Sequence, residues 1–255
     1  HPFAYRICVA PYSKQKEEKI NMFSTDHKQL AILIDPHKGG NQLDQLLPLL
    51  QQNPPHYILV GGSMVSNTTT TVIETIRQYV SVPVLLFPGS AAQFSPAADA
   101  LMYLSLISGR NPDFLISQHV QSAMQVYQYQ MPVIPVGYML VESGSLTSVQ
   151  YISNTQPLPR TKNDIAVATA LAGQYLGQKA IYLEGGSGAL HAVPTDMIRA
   201  VKAHISIPLI VGGGIKTPDA MADAFKAGAD VVVIGNVLEE NPALYTELVQ
   251  QLALL

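Results

Sequence analysis

Eight short apolar runs recur along the chain: LAILID (30–35), YILVGG (57–62), PVLLFPG (83–89), ALMYLSL (100–106), PVIPVGYML (132–140), AIYLEGG (180–186), PLIVGGG (208–214) and VVVIGN (231–236). They are continuous rather than alternating, which is the pattern of strands covered on both faces. Most are separated by helix-like stretches, among them DIAVATALAGQYL (164–176) and TPDAMADAFKAG (217–228). In the second, Thr217 suits the N-cap, Pro218 the first helical turn and Gly228 the stop. Pro83, Pro132 and Pro208 open three of the runs, where a ladder N–H can be spared. Eight such units predict an α/β fold with parallel strands closed into a TIM-type (β/α)8 barrel. An open doubly wound sheet is the structural alternative.

One connection is too short for its place. A parallel pair needs a crossover of about a dozen residues, and between Phe87 and Ala100 the chain offers PGSAAQFSPAAD, broken by Pro88, Gly89 and Pro96. The barrel is therefore expected to be modified, with its third helix missing or replaced, and the wall left bare there is a candidate apolar groove. No Ser/Gly-rich, Pro-rich or charged linker divides the 255 residues, so one domain over 30–255 is expected, with 1–29 as an N-terminal segment packed on it. The opening HPFAYRICVAPYSKQKEEKINMF has no initiator Met and no secretory pattern. It reads as a processed or added end leading into a helix, and carries no readable chemistry.

The net charge of −3 gives no global basic field, so a nucleic-acid partner is not expected. The single cysteine, Cys8, cannot close an internal disulfide, and no apolar run is long enough to span a membrane, so a cytoplasmic setting is expected.

In a TIM barrel the chemistry lies at the C-terminal strand ends, and phosphate sits where the loops after strands seven and eight meet. Gly213, Gly214, Gly235 and Asn236 fall there, and backbone N–H groups beside glycine make an anion cradle. Strand one ends in IDPHK and strand two in VGGS, which places Asp35 and Ser63 at neighbouring ends. A carboxylate with a hydroxyl is hard-oxygen ligation, suited to a Mg²⁺ that keeps several waters and takes the rest of its ligands from a diphosphate. Strand six ends in YLEGGSGA, aiming Glu184 into the same mouth, where it could accept a hydroxyl proton. His119, His191 and His204 share no metal-ligand spacing with a second His or Cys.

The segments LIDPHK, VGGS, LLFPGS, LSLISGRNP, PLPRTK, YLEGGSGA, VGGGI and VIGN, in that order, resemble the geranylgeranylglyceryl phosphate synthase family, including its bacterial members, from about Leu30 to the C-terminus. The resemblance implies Mg²⁺-dependent transfer of a polyprenyl group, geranylgeranyl by the family's name, from its diphosphate to the 3-hydroxyl of sn-glycerol 1-phosphate, forming an ether bond of archaeal-type lipids. By position it implies that Asp35 and Ser63 hold Mg²⁺. Tyr182, Leu183, Glu184, Gly185, Gly186, Ser187 and Gly188 would meet the glycerol part, and Gly213, Gly214, Gly235 and Asn236 its phosphate. Glu184 is the expected base and Tyr182 a candidate to steady the allylic cation. Two positions depart from the family pattern: His37 stands for the second acid of DPDK, and Gly185 for the Ala of YLEAGSGA. A homo-oligomer and transient contact with a membrane surface are further expectations. A thiamine-phosphate-synthase-like transferase, a phosphosugar isomerase and a non-catalytic phosphate sensor remain the alternatives; the roles of Lys38, Arg110 and Arg160 stay open.

Overall fold

The computed structural model describes residues 22–37, 41–62 and 69–255. The helix expected before residue 22, Lys38 and Ser63 lie outside the described residues. Eight strands, β1 (Gln29–Ile34), β2 (Tyr57–Val60), β3 (Val84–Leu86), β4 (Ala100–Leu106), β5 (Val133–Leu140), β6 (Ala180–Glu184), β7 (Leu209–Gly212) and β8 (Val231–Ile234), close into a barrel. Every pairing is parallel, and Gln29 of β1 stands opposite Val231 of β8. The closed sheet, not the open alternative, is the fold.

Closure explains why the strands read as unbroken apolar runs. Along β6, Ala180 and Tyr182 join the cluster inside the barrel, while Ile181 and Leu183 join the cluster between barrel and helices. Along β8, Val231 and Val233 point in, and Val232 and Ile234 point out. Both sides of β6 and β8 are dry, so neither parity of their sequence turns polar except where Glu184 meets the cavity. Around the barrel lie α1 (Asn41–Gln52), α2 (Thr69–Arg77), α3 (Gln118–Gln128), α4 (Ser148–Ser153), α5 (Asn163–Tyr175), α6 (Thr195–Lys202), α7 (Pro218–Ala227), α8 (Asn236–Glu240) and α9 (Leu244–Leu252). Helix α7 is bounded as its sequence dictates. Thr217 Oγ1 accepts the Ala220 N–H at 3.1 Å, and Gly228 stops the helix in the left-handed region. No helix among the described residues is long and apolar enough to cross a membrane.

The connection from β3 to β4 holds a single 3₁₀ turn, Ala91–Gln93, in place of a helix. Side chains brace it: the buried Gln93 donates to the Gly62 carbonyl at 3.1 Å and accepts the Gly89 N–H at 2.6 Å, and Gln118 accepts the Ala91 N–H at 2.7 Å. The outer face of β4 is left to α3. There the Tyr103 hydroxyl donates to the His119 carbonyl at 2.5 Å, and the His119 ring stands edge-on to Tyr103 at 4.4 Å. At the opposite end of the barrel Phe23 packs edge-on against Tyr57, ahead of β1.

Candidate active site

The glycines that follow β2, β6, β7 and β8 turn the chain across the C-terminal mouth. After β7, Gly213 and Gly214 take φ of 79° and 72°, and a Cβ at Gly214 would lie 2.8 Å from the His191 carbonyl oxygen. Only glycine satisfies both the backbone angle and the space. Gly235 caps α8, whose first residue, Asn236, donates from its amide to Ser187 Oγ at 2.9 Å. The loops after β6 and β8 are thereby tied together, facing the turn after β7. Gly213, Gly214, Gly235, Asn236, Gly186, Ser187 and Gly188 all line one cavity.

Glu184, the last residue of β6, is buried at the floor of this cavity. Its Oε1 accepts the Gly186 N–H at 2.6 Å. Burial pushes its carboxyl above the usual glutamate range, and Tyr182 and the Gly186 N–H draw it part of the way back. Two residues earlier, Tyr182 is fully buried, its hydroxyl on the Glu184 side. Its ring lies 5.5 Å from Phe87 and 5.4 Å, edge-on, from Tyr138. Burial, then the Glu184 charge, holds both tyrosine hydroxyls well above their ordinary pKa.

Asp35 stands at the end of β1, its Oδ1 accepting the His37 N–H at 3.0 Å. Gly62, after β2, lies flush against it: a Cβ there would come within 2.7 Å of Asp35 Oδ2. Asp35, His37 and Gly62 line the same cavity as Glu184. No group of three or more His, Cys, Asp or Glu is placed to hold a metal among the described residues. One hard carboxylate on an open cavity fits a Mg²⁺ that keeps most of its water, and does not fit a caged structural metal.

The cavity, about 590 Å³, continues past Phe87 and Tyr138 over β4 into the gap left by the missing helix, where Phe94, Leu101, Tyr103 and Phe114 line it. Two residues expected at the glycerol part are not on this wall. Leu183 faces the outer core because it alternates with Tyr182 and Glu184, and the Gly185 N–H is held by the Gly212 carbonyl at 2.9 Å. Arg110 and Arg160 are held elsewhere: the first by the carbonyls of Ile107 and Gly109, the second by those of Glu142 and Ala192. Phe87, Tyr138, His119 and Lys216 do line the cavity, though sequence reasoning singled out none of them as a site residue. For Tyr138 a signal existed, since an aromatic two residues before the end of β5 has the parity of Tyr182 and faces it in register.

The PcrB family model matches residues 24–252. The geranylgeranylglyceryl phosphate synthase of Spirosoma linguale is 47% identical over 225 residues, covering 87% of this chain and 90% of that protein. The crystal structure of (S)-3-O-geranylgeranylglyceryl phosphate synthase from Thermoplasma acidophilum, in complex with its substrate sn-glycerol-1-phosphate, superposes with a TM-score of 0.84. It is 28% identical and covers 94% of this chain and 98% of its own. Thiamine phosphate pyrophosphorylase of Pyrococcus furiosus, with a TM-score of 0.53 and 11% identity over 92% of this chain and 98% of its own, shares the fold alone.

Proposed function

This chain belongs to the PcrB family, and from that membership and the shape of its cavity we propose that it transfers a prenyl group, geranylgeranyl in its named relatives, from its diphosphate to the 3-hydroxyl of sn-glycerol 1-phosphate. The observation that carries the reading is continuity: one cavity joins a glycine-lined anion cradle, a buried carboxylate and an apolar groove.

The roles follow from where charge sits. Backbone N–H groups around Gly213, Gly214, Gly235 and Asn236 take the phosphate of the acceptor, and the Asn236–Ser187 bond fixes the cradle's width. Anchored there, the glycerol 3-hydroxyl reaches Glu184, which takes its proton. The new bond joins that oxygen to C1 of the prenyl group as the bond from C1 to the diphosphate breaks, the diphosphate keeping the electron pair. The rings of Phe87, Tyr138 and Tyr182 surround the floor, and their faces favour the positive charge that develops on the allylic carbon. Asp35 is the residue placed to hold Mg²⁺, and a bound Mg²⁺ supplies charge neutralisation for the departing diphosphate. Phe94, Leu101, Tyr103 and Phe114 keep the chain dry.

The test is a product assay: glycerol 1-phosphate, geranylgeranyl diphosphate and Mg²⁺, with the lipid product identified by mass spectrometry. The expected product is the 3-O-ether with one equivalent of diphosphate released. Consumption of neither substrate refutes the assignment, and hydrolysis of the diphosphate without ether formation removes the acceptor role from the cradle.

A further inference from the structure

The stretch PLPRTK (157–162) joins α4 to α5, and none of its residues lines the cavity. It is nonetheless fastened to the mouth of the barrel. Leu158 forms a parallel bridge with Val141, just past β5: its N–H donates to the Leu140 carbonyl at 2.8 Å, and its carbonyl accepts the Glu142 N–H at 2.9 Å. Two residues on, Arg160 donates from one terminal nitrogen to the Glu142 carbonyl at 3.0 Å and from the other to the Ala192 carbonyl at 3.1 Å. One planar guanidinium thus joins the loop after β5 to the loop after β6. Among the described residues no Asp or Glu forms an ion pair with it, so its hydrogen bonds go to backbone.

The far end of this tie is the phosphate cradle. The Ala192 nitrogen and the His191 carbonyl oxygen both stand 2.8 Å from where a Cβ of Gly214 would lie. The loop after β5 also grips the loop after β6 nearer its start: the Ser143 carbonyl accepts the His191 N–H at 3.1 Å, and the Ser145 hydroxyl donates to the Gly188 carbonyl at 3.1 Å. Those bonds hold residues 188 and 191. Arg160 holds Ala192, the point that touches the turn after β7. Backbone meets backbone there with no side chain between, so a shift of Ala192 carries Gly214 with it. We propose that Arg160 is a positioning residue for the acceptor: by keeping the Glu142 and Ala192 carbonyls on one rigid fork, it sets where the Gly214 turn presents its N–H groups to the phosphate of glycerol 1-phosphate. The proposal rests on the prenyltransferase reading above. Arginine suits the task because its fork fixes the distance and angle between two acceptors, which a lysine ammonium on a flexible stem does not.

The experiment measures glycerol 1-phosphate binding by calorimetry, and the kinetics of prenyl transfer, in Arg160→Ala and Arg160→Lys. The control is Arg110→Ala, whose guanidinium also meets backbone carbonyls, but those of Ile107 and Gly109 in the loop after β4. In both Arg160 variants the acceptor's Kd and KM are expected to rise roughly 10- to 100-fold, while KM for the prenyl diphosphate and kcat at saturating acceptor stay within about twofold of wild type. Guanidinium chloride, added at a concentration too low to denature, is expected to recover most of the affinity lost in Arg160→Ala, and methylammonium chloride none of it. Arg110→Ala is expected to bind acceptor like wild type. The lysine variant keeps the stem and the charge, so it carries the comparison even where the alanine variant melts early. Unchanged acceptor affinity in Arg160→Ala overturns the proposal, and so does wild-type affinity in Arg160→Lys, which would make the charge alone sufficient. Loss of kcat together with a rise in both KM values, without rescue by guanidinium, overturns it as well, because a merely structural tie gives that result. Wild type that binds glycerol 1-phosphate but forms no ether would sink the functional reading and leave the role of Arg160 in acceptor binding standing. Wild-type transfer with acceptor affinity unaltered in the variants would do the opposite.

Discussion

The carboxylate of Glu184 occupies the space that any side chain at Gly213 would need: a Cβ at position 213 would lie 2.2 Å from Glu184 Oε1. The same Cβ would meet the backbone nitrogens of Gly186 and Gly185 at 2.6 and 2.7 Å. Proposed base and proposed cradle are therefore one packed unit, in which neither moves without the other. Gly213→Ala is expected to lose both activities and stability together. The φ of 79° alone costs on the order of 1–3 kcal/mol for an alanine held there. Thermal unfolding with glycerol phosphate titration checks this. A variant that melts like wild type and binds acceptor normally would show that the turn has slack.

Gly185→Ala is expected to behave differently, although it adds the same atom to a residue of the same contact. Its Cβ would sit 3.1 Å from the Gly213 carbonyl oxygen and 3.4 Å from Ala189 Cβ, distances that a small adjustment relieves. Turnover should stay within about twofold of wild type, and loss of a glycine from the unfolded chain offsets the tight contact, by about 0.4–1 kcal/mol. Side-by-side melting curves of the two alanine variants give the comparison. Equal destabilisation would mean that the β6 turn, and not the Gly213 contact, sets the tolerance.

The barrel was legible because closure dries both faces of every strand, so that runs such as VVVI and PLIV need no alternation to be read. The strand-end glycines were legible for a similar reason, as turn chemistry is local. What a neighbouring strand or helix decides was not legible. Leu183 and Tyr182 are equally apolar in a list, and only the parity set by an inward Glu184 separates them. Tyr138 takes its meaning from standing opposite Tyr182 across β5 and β6. His119 became a groove residue only because no helix follows β3, which lets α3 lie against β4. The short 88–99 connection foretold that gap, yet not which side chains would fill its edges.

Asp35→Asn separates the metal's role from the cradle's. Asp35 follows β1, next to Gly62, and the cradle is built from the turns after β7 and β8. An amide keeps the shape and gives up the charge that holds Mg²⁺. Turnover is expected to fall about 10³-fold or more, several kcal/mol of charge stabilisation. Glycerol phosphate binding measured by calorimetry should change less than about threefold, below 1 kcal/mol. Equal loss in both measurements would dissolve the division of labour between the two ends of the cavity.

Glu184→Gln should slow the chemical step and stabilise the fold at the same time. The amide is nearly isosteric and its oxygen still accepts the Gly186 N–H, so acceptor affinity is expected to change little. Removal of a positioned base typically costs ~10²–10⁴-fold in rate, with the low end expected if the allylic carbon is already cationic when the oxygen attacks. The pH dependence carries a second signature. Burial raises the Glu184 pKa above its ordinary value, so the wild-type rate should rise with pH through that raised value, and the limb should vanish in the variant. Stability runs the other way. A carboxyl whose folded pKa is raised costs nothing below its unfolded pKa, where both states are protonated. The penalty for the buried charge grows as pH rises from the unfolded to the folded value and is complete above it. The glutamine variant is therefore expected to melt above wild type at pH above that window and to coincide with it in acid. Single-turnover rates and melting temperatures across pH decide both points. A variant with unchanged rate and large affinity loss would make Glu184 a binding residue, and a melting gap that does not close in acid would refute the raised pKa.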